Sequence, residues 1–109
     1  MDCFSRIEPV KNGFVKCRKF LVAIGDETRQ AIIMALMGNS TGLRVGEITK
    51  NTHLSRHAVS HHLRILRDCG LVTLDKQGTK NFYSLNIGDS FRNLIELVDN
   101  IVRFKRETI

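Results

Sequence analysis

Apolar residues recur at intervals of three and four along most of this chain, which places them on one side of a succession of helices. Val10, Phe14, Cys17 and Leu21 predict a first helix over 9–24. Pro9 suits its first turn, where the missing N–H has no partner to lose, and Gly13 weakens it by about 1 kcal/mol relative to alanine. Gly25 and Asp26 break the pattern. Asp26 is a good N-cap for a second helix over 27–37, which carries Ile32, Ile33 and Leu36 on one face. A loop over 38–42 follows. Leu43, Arg44 and Val45 read either as a short strand or as the entry to a third helix that runs to about Asn51 and buries Val45 and Ile48. Thr52, His53 and Leu54 make a tight connection to a fourth helix over 56–69, capped by Ser55 and stopped by Gly70. The period then changes. Residues 71–74 and 81–85 are short β-type runs, and Lys76-Gln77-Gly78-Thr79 between them reads as a hairpin turn. Asp89 is placed to cap a last helix over 89–106, with Phe91, Leu94, Ile95, Val98, Ile101 and Val102 on a single stripe.

The chain has 109 residues, 42% hydrophobic and 26% charged, which fits one globular domain over 1–109 rather than two cores or a disordered tail. The formal net charge is +6 and the isoelectric point about 9.7, a balance that favours a polyanion or an anionic surface. The excess is localised. Residues 1–24 hold five Lys/Arg against two acids, as do 55–87, whereas 25–54 and 88–109 are balanced. Cys3, Cys17 and Cys69 are odd in number and widely spaced, a poor disulfide framework that points to a reducing compartment. No apolar run approaches the roughly 20 residues of a membrane span, and residues 1–14 lack a signal-peptide core. A cytoplasmic protein is expected.

The segment Ser55–Arg67 carries the chemistry. On a helix of 3.6 residues per turn, Ala58, Val59, His62, Leu63 and Leu66 fall on one side. Arg56, His57, Ser60, His61, Arg64 and Arg67 fall on the other, a face of cationic and hydrogen-bonding groups with no carboxylate. The major groove of B-form DNA admits such a helix and offers base edges to these side chains, Arg to guanine above all. Together with Ser55 at the helix start, they form the predicted DNA-binding set. Lys76, Gln77 and Lys80 at the hairpin extend it, because a wing there can reach the adjacent backbone or minor groove. Equally, the lysines can serve to blunt an exposed sheet edge. The fold expected is mostly α with one β-hairpin: a winged helix-turn-helix, in the order helix-helix-helix-turn-helix-hairpin-helix.

Three blocks make the sequence recognisable: Ile24-Gly25-Asp26-Glu27-Thr28-Arg29, then Leu54-Ser55 and Val59-Ser60-His61-His62-Leu63-Arg64-Ile65-Leu66, then Gly70-Leu71-Val72 with Gly78 and Tyr83-Ser84-Leu85. The chain resembles the ArsR/SmtB family of winged-helix regulators over about residues 20–87. The resemblance implies a homodimer joined by the first and last helices, 9–24 and 89–106, and an inverted-repeat operator near a promoter. It also implies repression relieved by a signal. The last helix supports pairing independently, since its apolar stripe exceeds what a small domain easily covers; packing within one monomer is the alternative.

Metal-sensing members of that family often carry Cys-x-Cys before the recognition helix, where this chain has Val45-Gly46-Glu47-Ile48-Thr49. Others use histidines on the last helix, which here has Asp89, Glu96 and Asp99 but no histidine. No metal or other cofactor is therefore expected, with Cys3 and Cys17 left as thiol candidates for zinc, arsenite or a redox bond. His57 and His61 at i, i+4 lack a third ligand. Ser60 beside His61 suggests no catalysis, because helix neighbours point apart and no orienting acid follows. No enzyme is expected. The competing reading is a winged-helix protein-interaction module with little DNA affinity, disfavoured by the absence of aromatics from the recognition face.

Overall fold

The computed structural model describes the backbone of residues 3–108 and the side chains of residues 6–108. Five helices and one hairpin follow in the order α1 (Cys3–Ile24), α2 (Glu27–Met37), α3 (Val45–Thr52), α4 (Arg56–Asp68), β1 (Val72–Gln77), β2 (Lys80–Leu85) and α5 (Asp89–Glu107). This is the winged-helix layout read from the pattern. Among the described residues no helix is long and apolar enough to cross a membrane.

One core joins all the elements. Phe20 and Ala23 of α1 meet Ile32 and Leu36 of α2, Ile48 of α3, Val59, Leu63 and Leu66 of α4, and Leu71 and Val72 at the hairpin base. Phe91 of α5 closes one side with an edge-to-face contact to Phe20, ring centres 5.2 Å apart. Burial of these aliphatic side chains, each contributing roughly 1.5–3 kcal/mol, fixes which face of each helix turns inward.

Several local expectations shift. The first helix begins at Cys3, so Pro9 lies inside it rather than in its first turn. An interior proline forfeits a backbone hydrogen bond and strains the preceding turn, a cost of about 3 kcal/mol. This segment is docked on α5 nearby: Arg6 pairs with Glu107 at 2.9 Å and lies over the Phe104 ring. Ser55 caps α4 as expected, accepting from the Ala58 N–H at 3.1 Å. Asp89, by contrast, is the first residue of α5 and not its cap; Gly88 holds that position without a side-chain hydrogen bond. The fourth helix ends at Asp68, with Cys69 as its C-cap.

The hairpin is longer and its turn tighter than the pattern suggested. Lys76 and Gln77 belong to β1, paired with Asn81 and Lys80, and only Gly78 and Thr79 make the turn. Gly78 takes φ +64°, which a two-residue hairpin loop requires of its first position. Leu43 resolves the ambiguous 43–45 segment. It makes an isolated bridge to Tyr83, with N–H to O distances of 2.9 and 2.8 Å in the two directions, and α3 starts two residues later. Gly42 precedes it at φ +91°, where a Cβ would stand 2.8 Å from Ser84 Oγ, so a side chain there is excluded twice over.

α1 and α5 pack along each other and project from the body. The molecule measures 57 × 25 × 20 Å, with a radius of gyration of 17.1 Å against roughly 13 Å for a compact domain of this length. Gly13 sits where the two helices approach most closely: a Cβ there would lie 2.9 Å from Leu97 Cδ1 and 3.4 Å from Leu97 Cβ. What the pattern offered as a weak point of the first helix is its contact point with the last. Gly13→Leu is expected to destabilise the fold by about 1–3 kcal/mol through overpacking, despite its better helix propensity. A urea midpoint equal to that of the parent chain would show that α1 and α5 are not in firm contact.

Candidate nucleic-acid interface

α4 has the two faces its sequence dictates. Val59, Leu63 and Leu66 are buried in the core, Ala58 and His62 are half-buried, and Arg56, His57, Ser60, His61, Arg64 and Arg67 are all exposed. Lys76, Gln77 and Lys80 of the hairpin are exposed as well. The structure thus leaves every residue of the predicted set at the surface.

It also distinguishes among them. Ser55 Oγ accepts the Ala58 N–H, which leaves its hydroxyl proton and one lone pair for a further partner. Gln77 Nε2 donates to Asp75 Oδ2 at 3.0 Å, which ties it along its own strand. The strand register puts Lys76 with Asn81 on the face continuous with Val72, Leu74, Tyr83 and Leu85, and Gln77 with Lys80 on the opposite face. Lys76 and Lys80 therefore do not act as a pair across the tip. Arg64 and Arg67 border a shallow cleft shared with Asp68, the exposed last residue of α4, and Thr73 of β1.

The ion pairs all lie away from this side of the molecule, although Lys16, Arg18 and Lys19 of α1 and Lys105 and Arg106 of α5 are without an ion-pair partner too among the described residues. Among the described residues the ion pairs are Arg6–Glu107, Lys11–Glu8, Arg29–Asp26, Arg92–Asp89 and Arg103–Asp99, all on α1, α2 and α5 or at the α2 cap. No cation of α3, α4 or the hairpin has a carboxylate within 4.0 Å among them. An unpaired cationic surface retains its full attraction for a polyanion.

Arg29, which stands out in the sequence only as the end of the Ile24–Arg29 block, sets the pose of α4. It is buried in α2, 9% exposed. Its Nε donates to Ala23 O at 2.7 Å and its Nη2 to Val22 O at 3.2 Å, the free carbonyls at the negative end of α1. Its Nη1 lies 3.2 Å from His62 Nδ1 on α4. Asp26 completes the set: Oδ1 caps α2 by accepting the Arg29 N–H at 3.0 Å, and Oδ2 stands 3.9 Å from Nη2. The legible signal was the i, i+3 spacing of Asp26 and Arg29; the link to His62 spans 33 residues.

Because an arginine can only donate, His62 Nδ1 must accept and the ring proton sits on Nε2. Burial holds His62 below the ordinary imidazole range, and the neighbouring Arg29 and His61 push the same way, while Asp26 opposes them. Asp26 is held below the usual carboxylate range, chiefly by the Arg29 N–H it accepts.

Cys17 is buried between α1 and α5, and burial raises its thiol. Cys69 is half-buried, its thiol raised mainly by burial and donating to Leu66 O at 3.3 Å. Both border one cleft of about 310 Å3 between α1, the end of α4 and the start of α5. The side chain of Cys3 lies outside the described residues, so the Cys3–Cys17 pairing cannot be placed. Among the described residues no three His, Cys, Asp or Glu side chains are grouped to hold a metal ion.

Comparison with known proteins matches the same region. The family profile described as bacterial regulatory protein, arsR family, covers residues 26–73, from the α2 cap through α4 into β1. An uncharacterised HTH-type transcriptional regulator of Methanocaldococcus jannaschii is 33% identical over 88 residues, 81% of this chain and 97% of the relative. The transcriptional activator HlyU of Vibrio cholerae is 32% identical over 95 residues, 87% of this chain and 85% of its own. The solved structure of reduced HlyU superimposes with a TM-score of 0.66 at 33% identity, covering 84% of this chain and 93% of that one. The transcriptional repressor SdpR of Bacillus subtilis is 34% identical over 64 residues, 59% of this chain and 69% of its own.

The His62 pocket makes stability depend on pH. The folded state favours neutral His62, so the unfolded chain binds more protons once the pH drops below about 6.5, the free imidazole value. Stability from this site is full above that pH and is lost as the pH falls through the lower folded value. The urea midpoint is expected to decline between about pH 7.5 and 5.5, and to decline less in His62→Gln. Parallel profiles for the two proteins would rule out His62 as the source.

Proposed function

Since the chain belongs to the ArsR family of bacterial transcriptional regulators, a family of DNA-binding proteins and not of enzymes, we propose that it acts as a homodimeric repressor on an inverted-repeat operator. The observation that carries the reading is the exposed face of α4 from Arg56 to Arg67, cationic and hydrogen-bonding with a carboxylate only at its last residue, Asp68, and braced from behind by α2 and α3. On this reading α4 enters the major groove. Arg64, His61 and Ser60 reach base edges, Arg67 and Ser55 reach phosphates, and Lys76 and Lys80 contact the flanking backbone.

The dimer reading rests on the projecting α1 and α5. Phe14 and Val22 on α1, and Ile95, Val98, Ile101 and Val102 on α5, are exposed. The apolar stripe of α5 is divided: Phe91 and Leu94 pack on the core while the remainder stays bare. A second copy would cover that remainder and place two α4 helices on one side of the duplex, one helical turn apart or a multiple of it.

The similarity to HlyU, a transcriptional activator, favours a second reading in which the bound dimer promotes transcription. Both readings require the same protein–DNA complex and differ in where the operator lies. Selection from a random duplex pool yields the operator, and a reporter carrying it separates them: expression falls with the protein under repression and rises under activation. A protein that shifts no duplex even at low salt overturns both and leaves the interaction-module alternative.

Arg64→Ala is expected to weaken operator binding by about 1–3 kcal/mol and to relax base preference; an equal loss on random DNA would make Arg64 a phosphate contact. Val98→Asp is expected to convert the dimer to monomer in sedimentation at micromolar concentration. A sedimentation coefficient unchanged by that charge would place the dimer contact elsewhere.

A further inference from the structure

A groove of about 660 Å3 lies between α3, the first residue of α4 and the hairpin tip. Three cations line it from three positions: Arg44 at the N-cap of α3, Lys50 in its last turn, and Arg56 at the start of α4. Thr79 and Asn81 of the hairpin face them across it. The acid in the lining, Glu47, is committed, its Oε1 accepting the Arg44 N–H at 3.0 Å. None of the three cations has an ion-pair partner among the described residues.

Arg56 is the informative member. A Cβ built on Gly46 would lie 3.4 Å from Arg56 Nη1. The guanidinium therefore folds back over the first turn of α3 instead of standing out from α4 beside His57 and Ser60. A side chain at position 46 would stand in contact with the movable end of Arg56 and face into the groove.

We propose that this groove seats one sugar–phosphate strand of duplex DNA, making Arg44 and Lys50 backbone contacts and moving Arg56 from base reading to phosphate binding. The assignment deepens the DNA-binding reading and rests on it. Cations that neutralise phosphates release condensed counterions, a gain independent of sequence. Asn81 and Thr79 add neutral donors of the kind that bond phosphate oxygens. Val45 is the one apolar side chain in the lining, so the groove lacks the aromatic or aliphatic anchors by which a peptide would be held. Its continuity with the exposed face of α4 places the strand beside the major groove that α4 occupies, with the wing on its far side.

Binding is measured by fluorescence anisotropy on the selected operator duplex and on a random-sequence duplex, across a salt series. Arg44→Ala and Lys50→Ala are each expected to weaken both duplexes by the same factor and to lower the slope of log affinity against log salt by about one. Gly46→Glu places a carboxylate in the groove while favouring the helix over glycine. It is expected to keep its melting temperature and to lose more affinity than either alanine variant on both duplexes. Unchanged slopes in Arg44→Ala and Lys50→Ala, with the parent protein binding normally, would overturn the groove assignment and leave the α4 reading intact. Loss confined to the operator duplex would also overturn it, because the groove would then read bases. A parent protein that binds neither duplex overturns the DNA reading itself and the groove with it.

Discussion

The pose of α4 depends on one buried guanidinium. Arg29 leaves water almost completely, and an uncompensated charge in that position would be strongly destabilising. Three of its five N–H donors go to the carbonyls of Val22 and Ala23 at the end of α1 and to His62 on α4, with Asp26 supplying the counter-charge. The consecutive helices α1 and α2 and the distant α4, 33 residues on at His62, are held at one polar point beside an aliphatic core. Rotating α4 about its axis would break the His62 contact and leave an arginine donor unpaired. The hydrogen bonds thus specify the orientation that hydrophobic burial of Val59, Leu63 and Leu66 only restricts to a range.

The rest of the molecule distributes its charges in keeping with that constraint. On α5 the cations are interleaved with acids and Arg92 and Arg103 are paired, whereas α1 carries five cations to one acid, and its Lys16, Arg18 and Lys19 have no ion-pair partner among the described residues. Around α3, α4 and the hairpin the cations are unpaired, and the nearest acid in the groove, Glu47, is occupied by a backbone N–H. The bare apolar side chains lie mostly on the projecting helix pair, with Met34 and Met37 of α2 and Ile87 before α5 exposed as well, and none of them is on α3, α4 or the hairpin. Such a chain presents a cationic surface around α4 and a bare apolar surface on the projecting helices, with one core joining the two.

Much was legible locally. Helix periodicity gave five helices, and the β-type runs gave the hairpin. The Ser55 cap and the positions of Val59, Leu63 and Leu66 settled which side of α4 would face out, and every predicted contact residue is exposed. Each of these follows from interactions within a turn or two of chain: side-chain spacing at 3.6 residues, a hydroxyl accepting an N–H three residues on, a glycine taking positive φ.

What the tertiary structure decided are the matters that depend on residues far apart in sequence. Gly13 looks like a flaw in a helix until Leu97 arrives against it from α5. Pro9 looks like a helix start until Arg6 is anchored to Glu107 and Phe104. Arg56 shares a helical face with His57 and Ser60, yet its flexible side chain turns toward Gly46 of α3. Lys76 and Lys80 look like a pair flanking a tip, but the register of a two-residue turn assigns them to opposite faces, since a strand alternates sides at every residue. Composition and periodicity determine which surfaces exist, because they record only near neighbours along the chain. The packing of distant segments determines where each charged group ends, because a long side chain settles on whichever surface the fold brings within its reach.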